Sequence, residues 1–432
     1  MDNHLKRQEI AAGVHFNSVT DKRYKFNRIT VGFFVPLDEE KASLYALLPR
    51  LLCRTNARYT SAAQFSNYLA SLYNAKCDFE VESLGDTQFL AVSMKFMDDG
   101  YALHGEKITE EAAMAIFDCV FRPVIEKGEN SGFCAADVEI LKQHQIEAIE
   151  AEINDKRFYA ANKAKRILFE NEPAAVNPLG NVEKTREITP QSLFAAYKEL
   201  LKSAVIETVS VGCNDFRSAL KIAETEFSKL ASERKNIAIC QSAYSKAKSK
   251  TAEKTERLPL NQSNMVLGFK TALSGNSEKA ALTLMSNLYG GTISSKLFLN
   301  VREKLSLCYF CWSRVNKYKG AILVSCGVEE ENIEKAKAEI LLQLENVKKG
   351  DFTDDDLKYA LLYEQNNVKT VNDSLNSLTW WYFTRIYTKE IKSPEEYLKD
   401  FENIKRDDVM SVAGSMIFDT FYVLSGIEEN EK

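Results

Sequence analysis

Hydrophobic and polar residues follow two different rhythms along this 432-residue chain. Some runs, such as ITVGFFV from residue 29, are dense in β-branched and aromatic residues, which is typical of strands. Others repeat apolar residues every three to four positions, which is typical of amphipathic helices. The pattern predicts strands at 28–36, 76–83, 87–96, 205–213, 263–271, 307–315, 320–328 and 420–427. It predicts helices at 40–56, 61–73, 109–122, 134–170, 190–202, 277–290, 332–349, 353–372 and 394–401.

The chain also repeats itself. Residues 29–52 and 265–289 share a strand-then-helix pattern, with Gly32-Phe33 opposite Gly268-Phe269 and the tripeptide Glu-Lys-Ala in both copies. Residues 187–201 match 403–417 in pattern, and an apolar strand follows each of them. These matches keep the same order, about 215 to 240 residues apart, and such a fixed separation indicates duplication.

A polar stretch separates the two copies. Residues 241–256, QSAYSKAKSKTAEKTE, are poor in large aliphatic residues, which is typical of a flexible linker. We therefore expect an N-terminal domain over 1–240, a linker over 241–256 and a C-terminal domain over 257–432, each mixing strands with amphipathic helices.

Composition excludes several classes of function. Hydrophobic residues make up 45% and charged residues 27%, as in globular proteins. The net charge of −5 comes from an even mixture of signs, which gives no general attraction to nucleic acid or to an anionic membrane surface. No apolar stretch approaches the roughly 18 residues of a membrane span. Nine scattered cysteines and a charged N-terminus predict a cytoplasmic protein with reduced thiols.

The four histidines bear directly on a metal site. A helix-borne zinc site needs two histidines on one helical face with a glutamate between them, and His4, His15, His104 and His144 include no such pair. The nearest sequence is His144-Gln-Ile-Glu-Ala148, which is more simply a charged helix surface. Cys308 and Cys311 form a lone pair without the second pair of a zinc ribbon, and their odd spacing on a strand predicts opposite faces.

One segment offers polar chemistry at a helix–strand junction. Arg302 falls at the end of a predicted helix and Tyr309 in the strand that follows. A guanidinium and a phenol hydroxyl could together donate to a peptide carbonyl oxygen. Taken on spacing alone, a purely structural role for these two residues is the simpler interpretation.

The sequence of this segment resembles that of a known family. SKLFLNVREKLSLCY (295–309) is similar to the C-terminal signature of the M16 metallopeptidases (insulinase, pitrilysin and mitochondrial processing peptidase), which ends in Gly-Leu and a tyrosine. NPLG (177–180) followed by EITP resembles the family's His-Pro-Tyr-Gly stretch. The resemblance covers nearly the whole chain. It implies an α+β fold of two homologous halves, each a mixed, mainly antiparallel sheet covered by helices on one side.

The departure from the family matters as much as the match. The inverted zinc motif belongs on the first helix, where Ala46 and Arg50 stand in place of the two histidines and Pro49 in place of the glutamate. The third ligand would map to Glu147 or a neighbour. The resemblance therefore implies a non-catalytic member that binds no zinc itself. It also implies that Arg302 and Tyr309 bind a peptide or unfolded polypeptide substrate in a heterodimer with a zinc-bearing M16 partner.

Within the family, the N-terminal half looks most like a subgroup of Gram-positive bacteria linked to the 5-aminopentanol modification of elongation factor P. The segments ALLPRLLCRTNARYTS, LASLYNA and IEAEINDKRFYA carry this likeness. The alternative hypothesis is a scaffold with no part in hydrolysis, like the peptidase-like core subunits of respiratory complexes. A zinc enzyme that acts alone is the least favoured interpretation.

Overall fold

A computed structural model describes residues 5–126, 128, 131–230, 234, 238–239, 242, 244–271 and 276–426, without the side chains of 276 and 277. The chain divides into two compact units. Unit 1 comprises residues 1–150, 176–241 and 371–393, and unit 2 comprises residues 151–175, 242–370 and 394–432. Each unit therefore takes one internal segment from the other half of the sequence.

Unit 1 is built on a six-stranded sheet in the described part of the chain. Its strands are β1 (Lys6–Ala11), β2 (Val14–Thr20), β3 (Phe26–Pro36), β4 (Lys76–Leu84), β5 (Thr87–Met97) and β6 (Val205–Gly212). The spatial order is β1-β2-β6-β3-β5-β4. The β2–β6 pair is parallel and the other neighbours are antiparallel.

In its described residues, unit 2 repeats this sheet without a counterpart of β1. Its strands are β7 (Ala252–Arg257), β8 (Ser263–Lys270), β9 (Cys308–Asn316), β10 (Ala321–Val328) and β11 (Ile417–Ser425). The order β7-β11-β8-β10-β9 matches β2-β6-β3-β5-β4, and again the first pair is parallel and the rest antiparallel. The α+β class with two mixed, mainly antiparallel sheets is confirmed, and the shared strand order supports the duplication.

The helices follow the same duplicated order. They are α1 (Ala42–Leu52), α2 (Ala62–Ser71), α3 (Ile108–Phe121), α4 (Ala135–Glu150), α5 (Lys156–Leu168), α6 (Val182–Glu187), α7 (Pro190–Ser203), α8 (Arg217–Ser228), α9 (Asn276–Ser286), α10 (Ile333–Lys348), α11 (Asp354–Thr370), α12 (Leu375–Thr388), α13 (Pro394–Leu398) and α14 (Arg406–Ser415). A further helical segment, Leu297–Lys304, is called the Arg302 helix below. Apolar side chains of α1, α3, α7 and α8 cover one face of the first sheet, and those of α9, α10 and α14 cover the second.

One helix in each unit comes from the opposite half of the sequence. In unit 1, α12 packs on β3 and β6, and in unit 2, α5 packs on β8 and β11. Gly32 and Gly268, paired by the internal repeat, lie where these helices approach the central strands. A Cβ on Gly32 would meet Phe383 of α12, and one on Gly268 would meet Leu168 at the end of α5. The repeated glycine therefore makes room for the exchanged helix.

Several predictions differ from the structure. The predicted helix 134–170 is two helices, because Asp155 caps a new helix by accepting from the amides of Arg157 and Phe158. The predicted linker ends in β7, and its residues 241 and 243 lie outside the described part. The units also differ from the predicted division, because 151–175 and 371–393 pack with the opposite halves. No helix among the described residues is both long enough and apolar enough to cross a membrane.

Candidate functional site

The first candidate site is the middle of α1, where the family resemblance places a zinc motif. Ala46 and Pro49 are both buried in unit 1. Arg50 is partly buried, its guanidinium carbon lies 4.8 Å from the centre of the Phe79 ring, and burial lowers its pKa. A methyl group, a pyrrolidine ring and a guanidinium provide no electron pair for a metal ion. The side chains at these three positions therefore pack within unit 1 and do not bind a metal.

The glutamate that the resemblance maps to the third ligand lies on the surface. Glu147 on α4 is exposed, and its carboxylate accepts a hydrogen bond from Gln143 at 3.0 Å. The buried polar side chain of α4 that reaches α1 is Gln145, whose amide donates to the Ser43 carbonyl at 3.0 Å and to the Leu179 carbonyl at 3.0 Å. Sequence reasoning missed Gln145, although it stands next to His144 and falls on the apolar side of the helix. An amide that already bridges two carbonyls does not replace a carboxylate ligand.

The Asn177-Pro-Leu-Gly180 turn has a structural role beside α1. Gln88 donates to the Pro178 carbonyl at 2.6 Å and to the Ala42 carbonyl at 3.0 Å, which ties the turn to the start of the helix. Gly180 has φ of +78°, and a Cβ there would lie 1.9 Å from Ser43 Oγ. The turn can approach this closely only because Gly180 has no side chain.

The residues around α1 therefore do not fit zinc. They offer neither the two histidines nor the carboxylate of such a site. Within the described ranges, no group of three or more His, Cys, Asp or Glu side chains is arranged to hold a metal ion.

The second candidate site is the junction between the Arg302 helix and β9 in unit 2. Leu297 and Val301 are fully buried and fix one side of the helix, while Asn300 donates to Gln343 of α10 at 2.8 Å. Arg302 follows on the outer side, with 41% of its side chain exposed. Its guanidinium carbon lies 4.7 Å from the centre of the Phe298 ring, which restrains the long side chain while leaving its donors near solvent.

The chain turns sharply between the helix and the strand. The amide of Leu305 donates to the carbonyl of Asn300, five residues earlier, so the last turn is wider than an α-helical one. Ser306 then adopts φ of +50°, a left-handed conformation that favours glycine. The Gly-Leu of the family signature stands at Ser306-Leu307 here, so in this chain a serine takes a conformation that costs it free energy.

Tyr309 is the extra residue of a β-bulge. Cys308 pairs with Val328 and Phe310 with Gly327, which leaves Tyr309 without an opposite residue in the ladder. Its side chain is 59% exposed, and its hydroxyl donates to Glu329 Oε1 at 2.5 Å. The hydrogen bond to this carboxylate raises the pKa of Tyr309. Sequence reasoning missed Glu329, because the register of the β9–β10 hairpin is what brings it to the start of β9.

The same bulge changes the arrangement of the cysteines. The sequence predicted that Cys308 and Cys311 point to opposite faces, and this prediction is wrong. The extra residue shifts the alternation by one, so both side chains face the core under α9 and α10. Cys311 lies directly opposite Cys326 of β10.

The structure thus places two predicted sets of residues at two sites. Ala46, Pro49 and Arg50 lie together on α1 in unit 1, as a motif without ligands. Arg302 and Tyr309 lie at one junction in unit 2, where both present hydrogen-bond donors at the surface.

Known proteins resemble this chain in sequence. A family described as "Peptidase M16 inactive domain" matches residues 187–362, which include the Arg302 helix and Tyr309. The probable inactive metalloprotease YmfF of Bacillus subtilis (strain 168) is 24% identical over 428 residues, which cover 99% of this chain and 98% of that protein.

Solved structures show the same fold. A conserved protein from Enterococcus faecalis V583 superposes with a TM-score of 0.88 at 24% identity, over 99% of this chain and 100% of that one. A peptidase M16 inactive domain from Pseudomonas fluorescens superposes with a TM-score of 0.77 at 15% identity, over 98% of each chain. Residues 187–362 are therefore similar to the peptidase M16 inactive domain, and the chain shares its fold with these solved structures. The link to elongation factor P stays a prediction.

Proposed function

We propose that this inactive M16 peptidase-like chain is the non-catalytic subunit of a heterodimeric zinc metallopeptidase. The partner is an M16 subunit that carries the zinc centre, and this chain contributes part of the chamber wall together with Arg302 and Tyr309. The substrate is a peptide or an unfolded polypeptide. The observation that carries the proposal is the contrast between the two sites: α1 has lost its ligands to packing, whereas the junction at Arg302 keeps exposed donors.

The proposed role of this chain is to hold the substrate. Arg302 offers a planar, cationic set of N–H donors, which suits a carbonyl oxygen that gains negative charge. Tyr309 offers one O–H donor, which binds Glu329 in the unbound chain. A substrate carbonyl would have to replace Glu329 as its acceptor, so Glu329 sets the orientation of the phenol before substrate arrives.

Reconstitution with a partner tests this role. The chain is mixed with a His-x-x-Glu-His M16 protein from the same genome, and cleavage of an unstructured peptide is measured for each protein alone and for the mixture. We expect cleavage by the mixture only, and a fall in kcat/KM of about 10²-fold for Arg302→Ala, the usual loss for one oxyanion donor.

Matched variants separate this role from general damage. Arg314→Ala removes an exposed arginine from the same strand, β9, and should leave cleavage unchanged. Tyr309→Phe should lower kcat/KM without weakening partner binding. If the partner binds tightly but Arg302→Ala and Tyr309→Phe leave turnover unchanged, the chain is a scaffold and the substrate-binding role is wrong.

A finer part of the proposal concerns the biological setting. The likeness of the N-terminal segments to the elongation factor P subgroup supports a role in that modification pathway, in the cytoplasm of a bacterium. Deletion of the gene should change the mass of elongation factor P at its modified residue, as measured by intact mass spectrometry. An unchanged mass would remove this link and leave the peptidase role standing.

A further inference from the structure

Three thiols meet beside the Arg302 junction, and the proposed function does not use them. Cys308 and Cys311 share a face of β9 because of the bulge at Tyr309, and Cys326 lies opposite Cys311 on β10. Directly opposed residues of an antiparallel pair have Cα atoms about 4.5–5.5 Å apart. The three sulfurs therefore form one group at the end of the sheet, called the unit 2 thiol cluster below.

The members of this cluster differ in access. Cys326 is fully buried and Cys311 is 4% exposed, whereas Cys308 is only partly buried. Cys308 is therefore the member of the cluster that is most exposed to solvent. It lacks the arrangement of a metal site, since the described chain holds no group of three or more ligands suited to a metal ion.

Hydrogen bonds within the cluster favour a thiolate at its accessible member. Side-chain hydrogen bonds with Cys311 and Cys326, and then the Arg302 charge, lower the pKa of Cys308. The hydrogen bond with Cys308 raises the pKa of Cys311. Ionisation is thus favoured at Cys308 and disfavoured at Cys311.

Unit 1 contains a second set of thiols that serves as an internal comparison. Cys53 donates to the Asp78 carbonyl at 3.1 Å, so its hydrogen is directed to the backbone. The hydrogen bond with Cys77, followed by burial, raises the pKa of Cys119. The pKa of Cys77 is raised too, because its hydrogen bond with Cys119 is outweighed by that with Cys53 and by burial. In this set the pKa of Cys77 and the pKa of Cys119 are both raised, in contrast to the pKa of Cys308.

We propose that the unit 2 thiol cluster is an oxidation site for hydroperoxides, with Cys308 as the nucleophile and Cys311 or Cys326 as the resolving thiol. The Cys308 thiolate attacks the outer peroxide oxygen, the O–O bond breaks, and hydroxide or an alkoxide leaves with a proton from solvent. The resulting sulfenic acid is attacked by the second sulfur, the S–O bond breaks, and water leaves as the disulfide forms. Two thiols supply the two electrons that reduce the peroxide.

The disulfide would act on the neighbouring substrate site. Tyr309 is the bulged residue between Cys308 and Phe310, so a bond at Cys308 restrains the backbone that positions the Tyr309 hydroxyl. We expect oxidation to lower partner-dependent cleavage reversibly. This consequence rests on the proposed function, whereas the oxidation chemistry does not.

Thiol mapping tests the chemistry without any partner. The full chain is treated with hydrogen peroxide, its remaining thiols are alkylated, and the disulfide-linked peptides are identified by mass spectrometry. We expect the nine thiols of the sequence to fall to seven, with Cys308 linked to Cys311 or to Cys326. A thiol count that stays at nine, or a disulfide that excludes Cys308, would overturn the proposal.

Variants define the two roles. Cys308→Ser should abolish disulfide formation, while Cys77→Ser, the matched control from unit 1, should oxidise like the wild type. The double variant Cys311→Ser, Cys326→Ser should leave a sulfenic acid at Cys308 that dimedone traps. Equal oxidation of Cys308→Ser and wild type would refute the assignment of Cys308 as the nucleophile. If a variant fails to fold, the disulfide mapping of the wild type still decides the question. Unchanged cleavage after confirmed oxidation would refute only the regulatory consequence.

Discussion

The exchanged helices give the sharpest stability prediction, through the two repeated glycines. In Gly32→Ala the new Cβ would lie 2.6 Å from Phe383 and 2.7 Å from Phe89. Carbon atoms pack best at about 3.5–4.0 Å, so the rings must withdraw by about 1 Å. Both rings are buried, and their centres are 4.8 Å apart, so neither can move without disturbing the other.

The size of the effect follows from two opposing terms. Overpacking of this kind costs about 1–3 kcal/mol. Replacing glycine by alanine in a strand recovers about 0.5–1 kcal/mol of backbone entropy. We therefore expect Gly32→Ala to lower the free energy of unfolding of the α12 region by about 1–2 kcal/mol. Gly268→Ala is the matched control, because its nearest neighbours lie at 3.2–3.4 Å and include flexible Leu168 methyl groups. We expect a change of less than about 0.5 kcal/mol there.

Amide hydrogen exchange measured by mass spectrometry reads each helix separately, which suits a chain of two units. Peptides from α12 should exchange about 5–30-fold faster in Gly32→Ala, while peptides from α5 should be nearly unchanged in Gly268→Ala. Adding Phe383→Leu to Gly32→Ala should restore part of the protection. Equal protection of α12 in Gly32→Ala and wild type would refute the packing argument.

Three further predictions concern the site regions. Gly180→Ala should lower the free energy of unfolding, measured by thermal unfolding, by more than about 3 kcal/mol, because its Cβ would collide with Ser43. Gly105 has the same φ of +78° but no atom within 4 Å of its Cβ, so Gly105→Ala should cost about 1 kcal/mol. Equal losses in the two variants would contradict this prediction. Ser306→Gly should stabilise unit 2 by about 0.5–1 kcal/mol in urea unfolding, since glycine adopts the left-handed backbone conformation without strain. Ser306→Ala should bring no gain in stability. A gain from both variants would exclude backbone strain at this position. Glu329→Gln should lower the pKa of Tyr309 in an NMR titration, because it removes the carboxylate that disfavours the phenolate. Glu330→Gln is the control and should leave the pKa of Tyr309 unchanged. Equal responses of the two variants would argue against the hydrogen bond.

Much of the fold can be predicted from the sequence, because its central strands are strongly apolar and their patterns recur. The strands around Gly32 and Gly268 and the helices after them fall close to their predicted places. The predicted elements do not include strands β1, β2 and β7 or helices α6, α8, α12 and α14. β1 and β7 are edge strands with mostly charged, exposed residues, so their pairing is set by the neighbouring strand and not by their own apolar pattern.

For the candidate sites, too, residue types can be interpreted from sequence but strand pairing cannot. That Ala46, Pro49 and Arg50 offer no zinc ligand can be read from their residue types alone, because none of them is a histidine or a carboxylate. The bulge at Tyr309 could not, since it lies at the end of the β9–β10 pair far from the turn and leaves no mark in the apolar pattern of the strand. That single shift placed Cys308 beside Cys311 and brought Glu329 to Tyr309. Local chemistry is thus readable from sequence, whereas register requires the structure.

Zinc content tests the central claim most directly, that this chain cannot form the metal centre of the proposed peptidase. The chain is purified alone and in complex with its M16 partner, and both samples are dialysed against the same low concentration of zinc. The zinc content per polypeptide is then measured by elemental mass spectrometry. We predict no bound zinc in the chain alone and one zinc per heterodimer, contributed by the partner. Stoichiometric zinc in the isolated chain, together with peptide cleavage by that chain alone, would contradict the account.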